Sequence, residues 1–432
     1  MAKPSSQTKS HAIPRITKRM YRALAASAII VLLAGVAAGL QYQPATKPAP
    51  TPAPTPAPTP AATLAAPTPA VPAAITPGTD SIYYGTKTAP TKAPGTIRLV
   101  AYNIENLFDD VDDPQISGNI DDKTMTKPLE TRRAAANAIK ELNADVIALQ
   151  EIESKEALEW FREQHLKGLG YNYIASLDAG DGRGIEQSVL SRFPIKAVKN
   201  WVGTELDAVR PAMERGRPDP RAGEKMKFAR SPIFVEIEIP SDKTLGATTT
   251  SATASTAANI AATPYVLSLI VLHHKSGRDF NQQREAEARK VVEFYNELIK
   301  EQPLRNIAIL GDFNAAPDAN SIKSYTSAGL IDAFAARVSE GNTFTKPWIT
   351  HASNRVIDFI FISPQLAPEI VEGSAFVLGT PTRAPGTDYR KTPEPAGAAS
   401  DHMPIAIDIT PKDAAPVTAP AAAKVPTPAM SK

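Results

Sequence analysis

Ile307-Ala-Ile-Leu-Gly-Asp-Phe-Asn314 is the stretch whose reading decides the fold. A short apolar run ends in Gly311-Asp312-Phe313-Asn314 and then breaks at Ala315-Ala316-Pro317-Asp318. Such a run, bounded by turn residues, reads as a buried strand. Strand alternation puts residues two apart on one face, so Asp312 and Asn314 are expected to point into one cleft. A carboxylate and an amide on a rigid rim suit a divalent cation and a phosphate oxygen. The competing reading is a strand end capped by an Asp-Asn turn.

Working outward, polar residues recur at the ends of other apolar runs. Ile97–Tyr102 runs into Asn103-Ile104-Glu105-Asn106, and Asp145–Leu149 into Gln150-Glu151. Tyr265–His273 ends in a histidine, Arg355–Phe361 carries Asp358, and a last strand begins behind Asp401-His402. Carboxylates so placed can bind a hard cation through oxygen. Histidine supplies acid–base chemistry near neutral pH, and two of the chain's six histidines fall at these positions.

Between these runs the sequence predicts helices over Leu129–Leu142, Lys155–Lys167 and Gln282–Lys300. Further strands are expected near Tyr171–Ser176, Ile185–Ser191, Lys196–Val202 and Pro232–Ile239. Residues 203–229 read as a basic loop broken by Pro and Gly, and 244–263 as a low-complexity insertion. Many strands with few helices predict two stacked sheets flanked by helices, in one domain over 96–411.

The remainder is compositionally different. Of 432 residues 40 are proline and none is cysteine, which excludes disulfides, zinc–thiolate sites and cysteine nucleophiles. Residues 1–22 are polar and basic, and Ala23–Leu40 is uncharged. Eighteen such residues behind a basic flank predict one membrane helix with the chain beyond it extracytoplasmic. A cleaved signal peptide, giving a secreted protein, is the rival. Residues 41–95 read as a Pro/Ala/Thr-rich linker and 412–432 as an Ala/Pro-rich tail. Both ends are basic, so the net charge of +2 conceals a body of net charge −8 over 96–411. A broad electrostatic grip on long nucleic acid is not written into it.

The strand-end residues together resemble the endonuclease/exonuclease/phosphatase superfamily of pancreatic deoxyribonuclease-like phosphoesterases. The resemblance rests on Asn103-Ile-Glu-Asn-Leu-Phe-Asp109, Leu149-Gln-Glu151, His273-His-Lys-Ser276, Gly311-Asp-Phe-Asn314, Ile357-Asp-Phe-Ile360 and Ser400-Asp-His402. It implies a four-layer α/β/β/α sandwich of two mixed sheets and phosphoester hydrolysis dependent on Mg²⁺ or Mn²⁺. Carried over by position, Glu151 is the main metal ligand, helped by Asn103 and Asp401, with Glu105 a further candidate. Asp312 and Asn314 position water and phosphate. His402, oriented by Asp358, contacts the scissile phosphate or acts as base, and His273 is the second histidine. His274 lies on the opposite face by strand alternation; the family pattern selects the residue two before Lys275.

Substrate identity is less legible. Arg210–Arg230 holds seven basic residues against three acids, and Arg215, Arg217 and Arg221 are the candidates for gripping substrate phosphates. The expected activity is that of a membrane-tethered nuclease acting on DNA or RNA. A lipid or sugar phosphoesterase and a catalytically inactive binding module on the same scaffold are the rival readings. No protein partner is readable.

Overall fold

The computed structural model describes residues 81–112, 123–240, 264–337, 339–340, 343–388 and 391–413. The expected membrane segment, most of the linker, the 244–263 insertion and the tail beyond Asp413 lie outside these residues. Among the described residues no helix is long and apolar enough to cross a membrane.

Two six-stranded mixed sheets form the body. One has the order Phe376–Val377, Ile405–Ile409, Ile97–Leu107, Val146–Ile152, Glu186–Ser191, Tyr173–Ser176. The other runs Ile331–Asp332, Asp358–Ile362, Asn306–Asp312, Tyr265–His273, Ile233–Ile239, Ile195–Asn200. Each contains one parallel pair, Ile97–Leu107 with Val146–Ile152 and Tyr265–His273 with Asn306–Asp312. A parallel pair needs a crossover, and each here is joined through a helix, Leu129–Leu142 or Asn281–Glu301.

Strand alternation assigns the layers. Leu99 and Ala101 join Val235, Leu269 and Phe359 in the principal core. Their neighbours Val100, Tyr102 and Ile104 pack instead with Ala135, Ile139, Leu158 and Phe161 of the helices Leu129–Leu142 and Lys155–His165. On the other sheet Val291, Tyr295, Ile322 and Tyr325 contribute from Asn281–Glu301 and Asn320–Ser327. The result is the four-layer α/β/β/α sandwich.

Three expectations need correction. The linker does not reach residue 95: Ser81–Tyr83 pairs with Pro381–Arg383, Tyr84 is buried, and Thr86 exchanges backbone bonds with Val377 and Gly379. Flanking prolines concealed an Ile-Tyr-Tyr segment with apolar surface to bury. Residues 203–229 are not one loop, because Glu205–Val209 pairs with Lys225–Lys227 and Met213–Glu214 with Arg217–Pro218. Residues Asn320–Ser327, too short and weakly patterned to read as a helix in the sequence, form one.

Candidate active site

The site lies where the ends of the two sheets meet. In the first sheet the pairing of Ile97–Leu107 with Val146–Ile152 slips between Asn103 and Leu107. The pairing of Val146–Ile152 with Glu186–Ser191 slips at the adjoining level, between Gln150 and Ile152. Glu105, Asn106 and Glu151 all have left-handed backbones, with φ of 58°, 49° and 63°. Such conformations cost on the order of 1–3 kcal/mol each and persist where surrounding contacts fix them. Here Asn103 Oδ1 accepts from Glu105 N at 3.0 Å and Glu151 Oε2 from Asn106 N at 3.1 Å. The bulges thus re-aim Glu105 and Glu151 instead of letting them alternate away.

In the second sheet the strand ends at Asp312. Gly311 has φ 136°, and a Cβ there would lie 2.1 Å from the Leu272 carbonyl oxygen, so no side chain fits. Asn314 is beyond the strand with φ 50°. Asp312 and Asn314 are therefore brought together by a turn and not by alternation. Asn314 N donates to Asp312 Oδ1 at 2.8 Å and its Nδ2 to Oδ2 at 2.9 Å. His273 Nε2 lies 3.2 Å from the same Oδ2, and Asn103 Nδ2 donates to it from the other sheet at 3.3 Å. His274 faces away, with Nδ1 3.1 Å from buried Glu287 and Nε2 2.7 Å from Tyr325.

His402 completes the cluster. Ser400 Oγ donates to the Asn103 carbonyl and accepts from His402 N, tying the Ser-Asp-His turn to the first sheet. His402 Nδ1 lies 3.0 and 3.1 Å from the Asp358 oxygens, and Nε2 faces Asp312 Oδ2 at 3.6 Å. Burial disfavours charge on His402, yet Asp358, Asp312 and Asp401 push it well above the usual histidine range. Burial lifts Asp358 too. The pair holds one proton, and three facing carboxylates place it on the imidazole. Burial also opposes charge on Asp312, but His402 and His273 hold its carboxyl well below the usual range. His273 moves the other way, lowered by burial and by Arg230. Its Nδ1 is buried with no hydrogen-bond partner among the described residues.

Glu105, Glu151 and Asp401 supply the oxygen donors a hard divalent cation requires. Burial and the charges of Asp401 and Glu151 raise Glu105 to about 7, the mark of crowded anions that a cation would relieve. Asp401 stays near 2 despite burial, because His351 and His402 stabilise its charge. Glu151 is lowered against its burial by His273 and Arg183. The residues therefore fit such an ion. Asn103 fits less directly: its Oδ1 is engaged by Glu105 N, and its Nδ2 faces Glu151 and Asp312. Among the described residues, the groups whose donor atoms lie within 4.8 Å of one another are His351/Asp401/His402 and Asp312/Asp358/His402, and Glu105, Glu151 and Asp401 are not gathered that closely. In both groups, His402 is already committed to Asp358, so the oxygen-rich side is the better match.

The three candidate substrate arginines stand apart. Arg215 lies over the Phe280 ring at 5.0 Å and Lys275 Nζ over the same ring at 4.8 Å, while Arg217 and Arg221 are exposed. Among the described residues none of the three pairs with the carboxylates and histidines above. The structure instead brings in Arg183, whose Nη2 is 3.3 Å from Glu151 Oε1. Arg230 is buried, donating to the His273 and His274 carbonyls and to Asp181. His351, 3.3 Å from Asp401 and edge-on to His402, was also missed. The scarcity of histidine was its one sequence signal; Arg183, flanked by Gly182 and Gly184, gave only a turn.

Known proteins share this plan. The model of the endonuclease/exonuclease/phosphatase family matches residues 101–402. No curated protein matches the chain. Among solved structures, the human Nocturnin catalytic domain is 14% identical, with a TM-score of 0.41, covering 76% of this chain and 96% of that one. An endonuclease/exonuclease/phosphatase from Bacteroides vulgatus is 16% identical at TM-score 0.43, covering 73% and 99%. Truncated TDP2 from Caenorhabditis elegans is 14% identical at 0.41, covering 73% and 97%. The family match defines a phosphoester hydrolase, of a class whose enzymes generally use divalent metals. The chain belongs to the endonuclease/exonuclease/phosphatase family.

Proposed function

We propose that the protein is a Mg²⁺- or Mn²⁺-dependent phosphodiesterase whose substrate is nucleic acid. The observation that carries the reading is Asp312 Oδ2, which gathers Asn314, His273 and Asn103 and faces His402. A divalent cation held by Glu151, Asp401 and Glu105 would polarise the phosphoryl oxygens and neutralise developing charge. Asp312 orients the attacking water, and Asn314 and Asn103 fix Asp312. His402, kept cationic by Asp358, meets the charge that grows on phosphorus. His273, neutral above its lowered pKa, donates Nε2–H to Asp312.

The basic side of the cleft supports a polyanionic substrate. Arg183 flanks Glu151, and Lys275 follows His273 by two residues with Arg215 beyond it over the same Phe280 ring, while Arg217 and Arg221 stand apart. The uncharged Ala23–Leu40 run behind a basic flank supports tethering to a membrane with this domain extracytoplasmic. A panel of DNA, RNA, phosphomonoesters, inositol phosphates and sphingomyelin, with Mg²⁺, Mn²⁺ or EDTA, tests the activity. The protein used must begin before Ser81, because that strand is part of the fold. Metal-dependent cleavage of DNA or RNA is expected; turnover of sphingomyelin or sugar phosphates alone would replace the nuclease reading.

A further inference from the structure

Lys127 is buried beside the carboxylates, and the proposed chemistry gives it no task. It stands just before the helix Leu129–Leu142, and its backbone N–H donates to the Phe108 carbonyl at 3.0 Å. The side chain returns to the strand end, where Nζ donates to the Glu105 carbonyl at 2.6 Å. Glu105 is thereby held at three points. Its N–H donates to Asn103 Oδ1, its carbonyl accepts from Lys127, and its Oε2 accepts from Asp401 N. These bonds fix a left-handed backbone, φ 58°, that a non-glycine residue keeps only where its surroundings enforce it.

Burying an ammonium is unfavourable unless opposite charge surrounds it. Lys127 is 5% exposed, and the acids whose charges reach it are Glu105, Asp401, Glu151 and Glu394. Three of these are the oxygen donors assigned to the divalent cation. Burial and Asp401 push the Glu105 carboxyl up, and Lys127 acts against them. Arg183 also faces Glu151, but its side chain is 38% exposed, whereas Lys127 is enclosed. The enclosed charge therefore belongs to the site as firmly as the carboxylates do.

We propose that Lys127 is the resident cation of this site, a positioning residue that holds Glu105 and the neighbouring carboxylates in place when no divalent ion is bound. This rests on the assignment of Glu105, Glu151 and Asp401 to the metal. In the metal-free protein the ammonium offsets their mutual repulsion and keeps the left-handed turn formed. Once a divalent ion enters, the same charge lies near it and opposes it. The ion is then held less tightly than the carboxylates alone would hold it. The site is shaped before metal arrives, and its affinity is set below what the three carboxylates could reach.

The test is thermal unfolding and calorimetric metal binding of Lys127→Met in the full chain, in EDTA and in saturating Mg²⁺ or Mn²⁺. Methionine keeps the apolar stem and removes the charge. Lys92→Met is the reference, because Lys92 pairs with Asp145 at the far end of the strand that carries Glu151. Lys127→Met should lose more melting temperature in EDTA than with metal, and its dissociation constant for the ion should fall by about three-fold or more. By linkage these two changes are one effect. Lys92→Met should lose the same amount in both conditions. Lys127→Gln, neutral but still a donor, should show the same tightening, and decides the matter if the methionine variant does not fold. Equal losses with and without metal would reduce Lys127 to packing, and a raised dissociation constant would make it a support for the bound ion. Either result overturns the inference alone. Wild-type protein that binds neither ion would overturn the metal assignment with it.

Discussion

Two histidines approach one carboxylate oxygen and are driven in opposite directions. His273 and His402 place Nε2 3.2 and 3.6 Å from Asp312 Oδ2, and both are buried. The difference lies on the other ring nitrogen. His402 Nδ1 faces both oxygens of Asp358, whereas His273 Nδ1 has no partner among the described residues and Arg230 donates to the carbonyl of His273 itself. Burial lowers both; the carboxylates reverse it for His402, and Arg230 reinforces it for His273. In the proposed mechanism the two halves of the site separate work: one would present a positive charge to phosphate, the other a neutral donor that keeps Asp312 in place.

Removing the shared carboxylate should have the largest effect. Asp312→Asn deprives His402 of a counter-ion and His273 of its carboxylate acceptor, and kcat should fall by about 10²–10⁴, the usual share of an acid–base group. Asp358→Asn converts the His402 half towards the His273 half and should cost a smaller factor, on the order of 10–10². It should also move the alkaline limb of the rate profile to lower pH, because a neutral amide no longer holds the imidazolium. The stability consequence has a definite sign. His402 has a raised folded pKa, so its contribution is complete below about 6.5 and is lost as pH rises through the raised value. The gap in melting temperature between wild type and Asp358→Asn should therefore narrow towards alkaline pH.

A substitution outside the pair sharpens the comparison. His274→Ala leaves both halves intact and should change kcat by only a few-fold. It removes one partner of the buried Glu287 carboxylate, which keeps Ala229 N, Gln283 Nε2 and Lys275 N, so stability should fall by about 1.5–3 kcal/mol in denaturant titration. A loss of activity matching that of His273→Ala would reverse the assignment of the two histidines. The smallest effect is expected from Arg183→Ala. KM should rise a few-fold, and calorimetry should show metal binding tightened, because a competing cation leaves Glu151.

The distribution of what could be read in advance follows from the kind of interaction involved. The strand-end residues were legible because apolar runs ending in Asp, Glu, Asn or His are locally conspicuous, and Tyr265–His273 was placed to the residue. Alternation put His273 and His274 on opposite faces, as the regular strand does, and the family pattern chose between them. It gave the wrong reason for Asp312 and Asn314, where a left-handed residue makes the turn. The bulges that aim Glu105 and Glu151 arise from pairing between strands, which no local pattern reveals. Arg183 and His351 enter the site only through tertiary approach. The basic cluster in Arg210–Arg230 was visible, but sequence could not separate buried Arg230 from exposed Arg217 and Arg221.

The most direct test is a metal titration of bis(p-nitrophenyl) phosphate hydrolysis by wild type, Glu151→Gln and His402→Ala. Glu151→Gln keeps shape and removes charge. Its half-saturation should shift to higher Mg²⁺ or Mn²⁺, with turnover partly restored by excess metal. His402→Ala should keep the wild-type half-saturation and lose turnover that no added metal returns. Wild-type rates in both variants at every metal concentration would contradict the account.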